Sequence, residues 1–142
     1  MHPKSKPSLR SRLWPLGLLL VSASCSNPCQ NEIISQVQSP DGRQKAIVFQ
    51  RDCGATTGFS TQVSILGNSE SLPNASGNAF TADADHGKAV SGPNGGPIVL
   101  VRWLSNSEIE ISYDSKARVF LKESSANSVK SVFPARVRDR VS

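Results

Sequence analysis

The chain has 142 residues, with 16 Lys and Arg against 11 Asp and Glu, 37% hydrophobic residues and three cysteines. That length fits one domain with one modest core. The formal charge of +5 is gathered towards the two ends of the chain, so whole-chain basicity is no argument for nucleic acid as a partner.

Residues 1–12, MHPKSKPSLRSR, carry Lys4, Lys6, Arg10 and Arg12 and no acid. Residues 13–23, LWPLGLLLVSA, form an apolar run of eleven. As a helix such a run spans about 16 Å, against about 30 Å of bilayer hydrocarbon. A basic region, a short apolar run and small residues before a cleavage point have the form of a secretory signal. The signal is expected over residues 1–24, and LGLLLV has no polar face that would suit a cytosolic amphipathic helix. LLLVSASC also resembles a bacterial lipobox, which makes Cys25 the lipidated first residue and the membrane a partner through that anchor. Ser22 stands where a lipobox usually has Leu, Val or Ile, and Ser22 with Ser24 also suits an ordinary signal peptidase. Ser26 after the cysteine, rather than Asp, favours the outer membrane in a Gram-negative host. Removing residues 1–24 takes away four bases and no acid, so the remaining 118 residues carry 12 bases and 11 acids, a net charge of about +1.

Export implies an oxidising compartment in which cysteines pair. Cys25, Cys29 and Cys53 are an odd set, and an odd set normally leaves one free thiol. Lipidation of Cys25 resolves the count and leaves Cys29 to pair with Cys53. The bridge closes a loop of about 25 residues, worth about 3 kcal/mol in the chain-entropy model.

From there the chain reads as strands and turns. EIISQVQ (32–38) and RQKAIVFQR (43–51) form a hairpin about the SPDG turn (39–42), in which Pro40 fixes φ and Gly42 is free to take a positive φ. The SPDGR string also occurs in propeller blades at a fixed period, but it stands here once, which excludes a propeller. CGATTG (53–58) is a Gly/Thr loop. Such loops can turn backbone N–H groups to an anion. No Lys follows and a strand comes next, so this is not a nucleotide-binding loop. A turn held by Thr hydroxyls is the simpler reading. The residues of interest there are Gly54, Thr56, Thr57 and Gly58.

STQVSIL (60–66) is a third strand and residues 67–78 a polar loop. AFTAD (79–83) reads as a short edge strand. Residues 84–97, ADHGKAVSGPNGGP, form a long loop, of a kind that is often functional in small domains. Asp83, Asp85 and His86 fall within four residues. A turn at Gly87 would let them converge on Ca²⁺ or Zn²⁺. Three ligands in a row are not a calcium loop and fall short of zinc's usual four. A solvated loop with no metal is the simpler reading, and no cofactor motif is present.

IVLVRWLS (98–105) has apolar residues on both sides and is expected to be a central strand covered on both faces. EIEISYD (108–114) alternates Ile109, Ile111 and Tyr113 with Glu108, Glu110 and Ser112, giving one wet face. ARVFLKE (117–123) follows a turn. VKSVFPARV (129–137) is expected at an edge, since Pro134 cannot donate to a ladder. Trp103 and Tyr113 read as core residues; exposed together with Phe120 they would form a platform for carbohydrate or peptide. The closing ARVRDRVS, with Arg136, Arg138 and Arg140, reads as a solvated basic tail, or as a weak contact with anionic lipid headgroups. No segment has helical spacing over eleven or more residues, so the chain is all-β. The expected architecture is a single small antiparallel meander over residues 25–142, a sandwich or half-open barrel.

The blocks SPDGRQKAIVFQRDCGATTGFSTQVSIL, GNAF, ADADHG, GGP and VRWLSNSEIEISY resemble a family of small uncharacterised bacterial envelope proteins, many of them predicted lipoproteins. The resemblance covers roughly residues 25–123, and RDCGATTGFSTQVS is its most specific part. It implies an envelope location and a compact domain, and no activity. Two functional expectations follow. The first is an exported, lipid-anchored protein of the bacterial envelope that binds an envelope protein or small ligand, or has a structural role. The alternative is a periplasmic thiol hydrolase or transferase, with Cys53 as nucleophile, His86 as base and Asp83 or Asp85 orienting it.

Overall fold

The computed structural model describes Pro3 and residues 28–134. Cys25, the expected signal over 1–24 and the basic tail at 135–142 lie outside the described residues. Among the described residues nine strands follow in chain order: β1 (Gln30–Gln38), β2 (Gln44–Asp52), β3 (Ser60–Gly67), β4 (Phe80–Asp83), β5 (Val99–Ser105), β6 (Glu108–Tyr113), β7 (Arg118–Lys122), β8 (Ser125–Ala126) and β9 (Val129–Val132). They form two sheets, ordered β1-β2-β3-β4-β7 and β5-β6-β9-β8, and neither closes into a barrel. The described residues are all-β, as their alternating short apolar runs predict.

The meander runs through β1 to β4 by hairpin steps. The chain then crosses to the second sheet for β5 and β6, returns to the first as β7, and goes back for β8 and β9. Because β7 intervenes, β9 re-enters the second sheet parallel to β6. The first turn has the predicted chemistry. Gly42 takes φ 69° and donates to the Ser39 carbonyl at 2.9 Å. The Ser39 hydroxyl donates to Asp41 Oδ1 at 2.7 Å.

The core lies between the sheets. Ala46, Val48, Val63, Ile65, Phe80 and Ala82 of the first face Val99, Ile109, Ile111, Ala126 and Val129 of the second. Burying a side chain of this size is worth about 1.5–3 kcal/mol. Glu108 and Glu110 stand on the wet face as expected and pair with Lys130 at 3.4 Å and Arg102 at 3.2 Å.

Three expectations about strand position are corrected. β4, expected at an edge, lies inside the first sheet between β3 and β7. β5 is an edge strand, not a central one: Leu100 and Leu104 are 46% and 40% exposed. Leu100, with Ile98 just before the strand, lines a side groove instead of packing under another layer. β2 is buried on both faces, with every residue from Lys45 to Arg51 buried, and so is β3 from Thr61 to Ile65. The outer row of β2 includes Ile47 and Phe49, at 1% and 0% exposure, and the chain between β3 and β4 folds back over that row. Residues 67–79 leave the far end of β3 and climb the outer face. Lys45 Nζ donates to the Asn68 carbonyl at 2.9 Å. Asn31 donates to the carbonyls of Pro73 and Ala75 at 3.0 and 2.8 Å. Gly77 donates to Gln62 Oε1 at 2.7 Å, where a Cβ would stand 2.6 Å from the Val63 carbonyl oxygen. These residues form a strap, with Arg51 beneath it bonded to Asn31 at 2.6 Å and Asn74 at 3.1 Å. The expected edge strand at 129–137 is also corrected. β9 ends at Val132 and lies inside the sheet, with the two-residue β8 at the edge.

Candidate functional site

Antiparallel pairing gathers most of the sequence's candidate residues at one end of the sandwich. β1 begins there, β2 and β4 end there, and β3 and β5 begin there. Cys29 and Cys53 flank the Gln30–Asp52 pair and are joined, with S–S 2.07 Å. The predicted disulfide therefore staples the open end of the β1–β2 hairpin. It also leaves Cys53 with no thiolate, which corrects the alternative reading of Cys53 as a nucleophile served by His86 and Asp85.

The 53–58 loop is the Thr-held turn. Gly54 takes φ 106°, and both the amide and the hydroxyl of Thr57 donate to the Gly54 carbonyl at 3.2 Å. Asp52 Oδ1 accepts the Gly54 N–H at 2.9 Å, so a carboxylate already holds the donor an anion would need. Thr56 and Gly58 are exposed.

Asp83, Asp85 and His86 do not converge. Asp83 is ion-paired with Arg118 of β7 and accepts the Asp85 N–H at 2.8 Å. Burial raises its carboxyl pKa, but the Arg118 hydrogen bond, the Asp85 amide and the guanidinium charge together outweigh that and hold it below the ordinary range. Asp85 pairs with Lys88 at 2.7 Å. That hydrogen bond is the main cause of its lowered pKa. Asp85 and His86 take φ 45° and 57°, left-handed values that turn the chain sharply and leave His86 exposed. Among the described residues no three His, Cys, Asp or Glu side chains come together as a metal site.

Trp103 is half-buried and donates from its indole N–H to the Val37 carbonyl at 3.0 Å. Tyr113 packs on Phe80, with ring centroids 4.7 Å apart. Phe120 is 59% exposed, under the Arg118 guanidinium at 5.1 Å. The three aromatics form no shared platform.

The structure adds a concavity that the sequence reading missed. The inner face of β1 and β2 runs past the rim of the second sheet. An apolar groove of about 220 Å³ opens there between β1 and β5, with Ile34, Val48, Pro97, Ile98 and Leu100 among its lining. Thr61 closes its floor by donating to the Pro97 carbonyl at 2.7 Å. Gln50 is the register partner of Thr61 and of Glu32. With Gln30, Glu32 and Asp52 it lines a polar crevice of about 350 Å³ beside that groove. Gln50 is 7% exposed, and its Oε1 is buried with no hydrogen-bond partner. A signal for these residues exists in AIVFQRD: the row that holds Ala46 and Val48 against the core carries on through Gln50 and Asp52, polar groups on the inward register.

Comparison with protein-family models, with curated proteins and with solved structures gives no match to this chain.

Proposed function

We propose that this is an exported protein of the bacterial cell envelope, tethered by lipid at Cys25, that binds a ligand or partner and does not carry out thiol chemistry. The observation that carries the reading is the Cys29–Cys53 disulfide. Such bonds persist in oxidising compartments and are rare in reducing ones. The pairing also takes the only other cysteines in the chain, which leaves Cys25 for lipid. The basic, short apolar leader and the resemblance to small envelope proteins point the same way. Two concavities at the disulfide end suit binding, and no second observation favours the thiol enzyme.

The test is radiolabelled palmitate incorporation in cells expressing the wild type or Cys25→Ser, followed by envelope fractionation. The reading predicts label in the wild type, none in the variant, and release of the variant from the membrane fraction. Equal membrane association of both without label contradicts the anchor.

A further inference from the structure

We infer that the crevice beside the disulfide is a binding site for a primary alkylammonium group, whose carbon chain lies in the neighbouring apolar groove. The proposal rests on the binding role proposed above and names the chemistry of the ligand.

The first observation is charge. Glu32 and Asp52 sit on the inner face of β1 and β2 as diagonal neighbours, offset by the Gln30–Asp52 and Glu32–Gln50 pairs. Diagonal positions are about 7–8 Å apart, near enough for like charges to oppose one another. Among the described residues neither carboxylate has an ion-pair partner: the nearby Arg51 lies on the opposite face, under the strap. The second observation is Gln50, buried at 7% exposure with an unpaired Oε1, in the wall of the same crevice. A buried acceptor without a donor costs about 1–3 kcal/mol, so this position is held at the expense of stability. A donor delivered from outside removes that cost.

An ammonium has three donors and no acceptor. Glu32, Asp52 and Gln50 offer two carboxylates and an amide oxygen. Gln50 stands where crevice and groove meet, since Thr61 across from it and Val48 two residues before it both line the groove. Ile34 and Leu100, 44% and 46% exposed, flank the groove. A cationic head at the carboxylates therefore places an attached alkyl stem among apolar side chains.

The experiment follows amide resonances of the purified, oxidised protein by NMR during titration with hexylammonium chloride. Hexanol, sodium hexanoate and calcium chloride are run in parallel. Saturable shifts are expected with hexylammonium at Glu32, Asp52 and the Gln50 side-chain amide, and along the stem at Val48, Ile98 and Leu100. Glu32→Gln or Asp52→Asn should each weaken binding about tenfold, the size of a charge-assisted hydrogen bond; Asp52→Asn keeps the Oδ1 that accepts from Gly54. Gln50→Leu should lose binding while its Tm rises, a pairing that a purely structural glutamine would not give. Should that variant fail to fold, the two carboxylate variants decide alone. Calcium shifting these residues where hexylammonium does not, hexanol shifting them equally, or the absence of any saturable response overturns the proposal. None of these outcomes bears on the anchor, which the palmitate experiment tests separately.

Discussion

Asp83 shows how single side chains fix the disulfide end of the molecule. It ends β4, and its carboxylate takes Arg118 from the neighbouring strand and the Asp85 amide from the following turn. Its folded pKa lies below the ordinary aspartate value. The folded state therefore holds its proton less readily than the unfolded state, and the stabilisation is fully present above the unfolded value. It is lost as pH falls through the lower, folded pKa. The Arg118 side chain is half exposed, so screening keeps the pair to about 0.5–1 kcal/mol. Asp83→Asn should lose that amount at pH 7 in urea unfolding, and the gap from wild type should start to close as pH falls below about 4 and vanish only below the lower, folded pKa. The adjacency of Asp83, Asp85 and His86 was plain in the sequence, but their fate was not. Arg118 is 35 residues away, and only strand pairing brings it to Asp83. Gln50 is the reverse case. Its inward register could be read from the alternation along β2, but nothing local showed that its oxygen would lack a donor.

At the scale of elements, the β1–β2 hairpin is held at both ends, by the SPDG turn and by the Cys29–Cys53 bridge, and across its outer face by the strap. Replacing both cysteines by serine should cost about 3 kcal/mol in denaturant unfolding, with strands β3 to β9 keeping their far-UV signature. Asn31 is the strap's main clasp, with bonds to Pro73, Ala75 and Arg51. Asn31→Ala should cost about 1 kcal/mol, because it removes two solvent-exposed strap bonds and one partner of the buried Arg51 guanidinium. Hydrogen exchange should then quicken across residues 68–78 before it does in β2 or β3. Most strands were legible as alternating runs ended by Gly, Pro, Asn or Asp, and the hairpin and the wet face of β6 followed from them, while the disulfide followed from the cysteine count. The burial of β2 on both faces was not expected, although AIVF is a continuous apolar run of the kind that suits such a strand. The residues that cover it, GNSESLPNASGN, look like a solvated loop. Their backbone carbonyls accept from Lys45 and Asn31, and the side chains of Asn74 and Asn78 bond Arg51 and Ile65; backbone leaves no mark on composition, and asparagines are what a solvated loop carries too.

Across the whole molecule, the two sheets have four edges, and each is blunted. Three edge strands carry a bulge, with Ile34 in β1, Leu104 in β5 and Phe120 in β7 as the extra residue. The fourth edge, β8, has two residues. Bulges and short strands stop edge-to-edge pairing between molecules. The three extra residues are all among the exposed large hydrophobics, at 44%, 40% and 59% exposure. Deleting Ile34 should therefore straighten a nine-residue edge and promote association, seen as higher-order species in size-exclusion chromatography where the wild type runs as one peak. The sandwich could be anticipated from the strand count, but the crossover that makes β9 parallel to β6 could not. It depends on β7 joining the first sheet, a choice made by packing and not by any turn. The account as a whole turns on the chain maturing where its sulfurs can be oxidised. Non-reducing peptide mass mapping of the protein recovered from cells tests this most directly. The account predicts a cross-linked peptide holding Cys29 and Cys53, and an N-terminal peptide that begins at an acylated Cys25. Recovery of the chain from Met1 with Cys29 and Cys53 both as free thiols would contradict it.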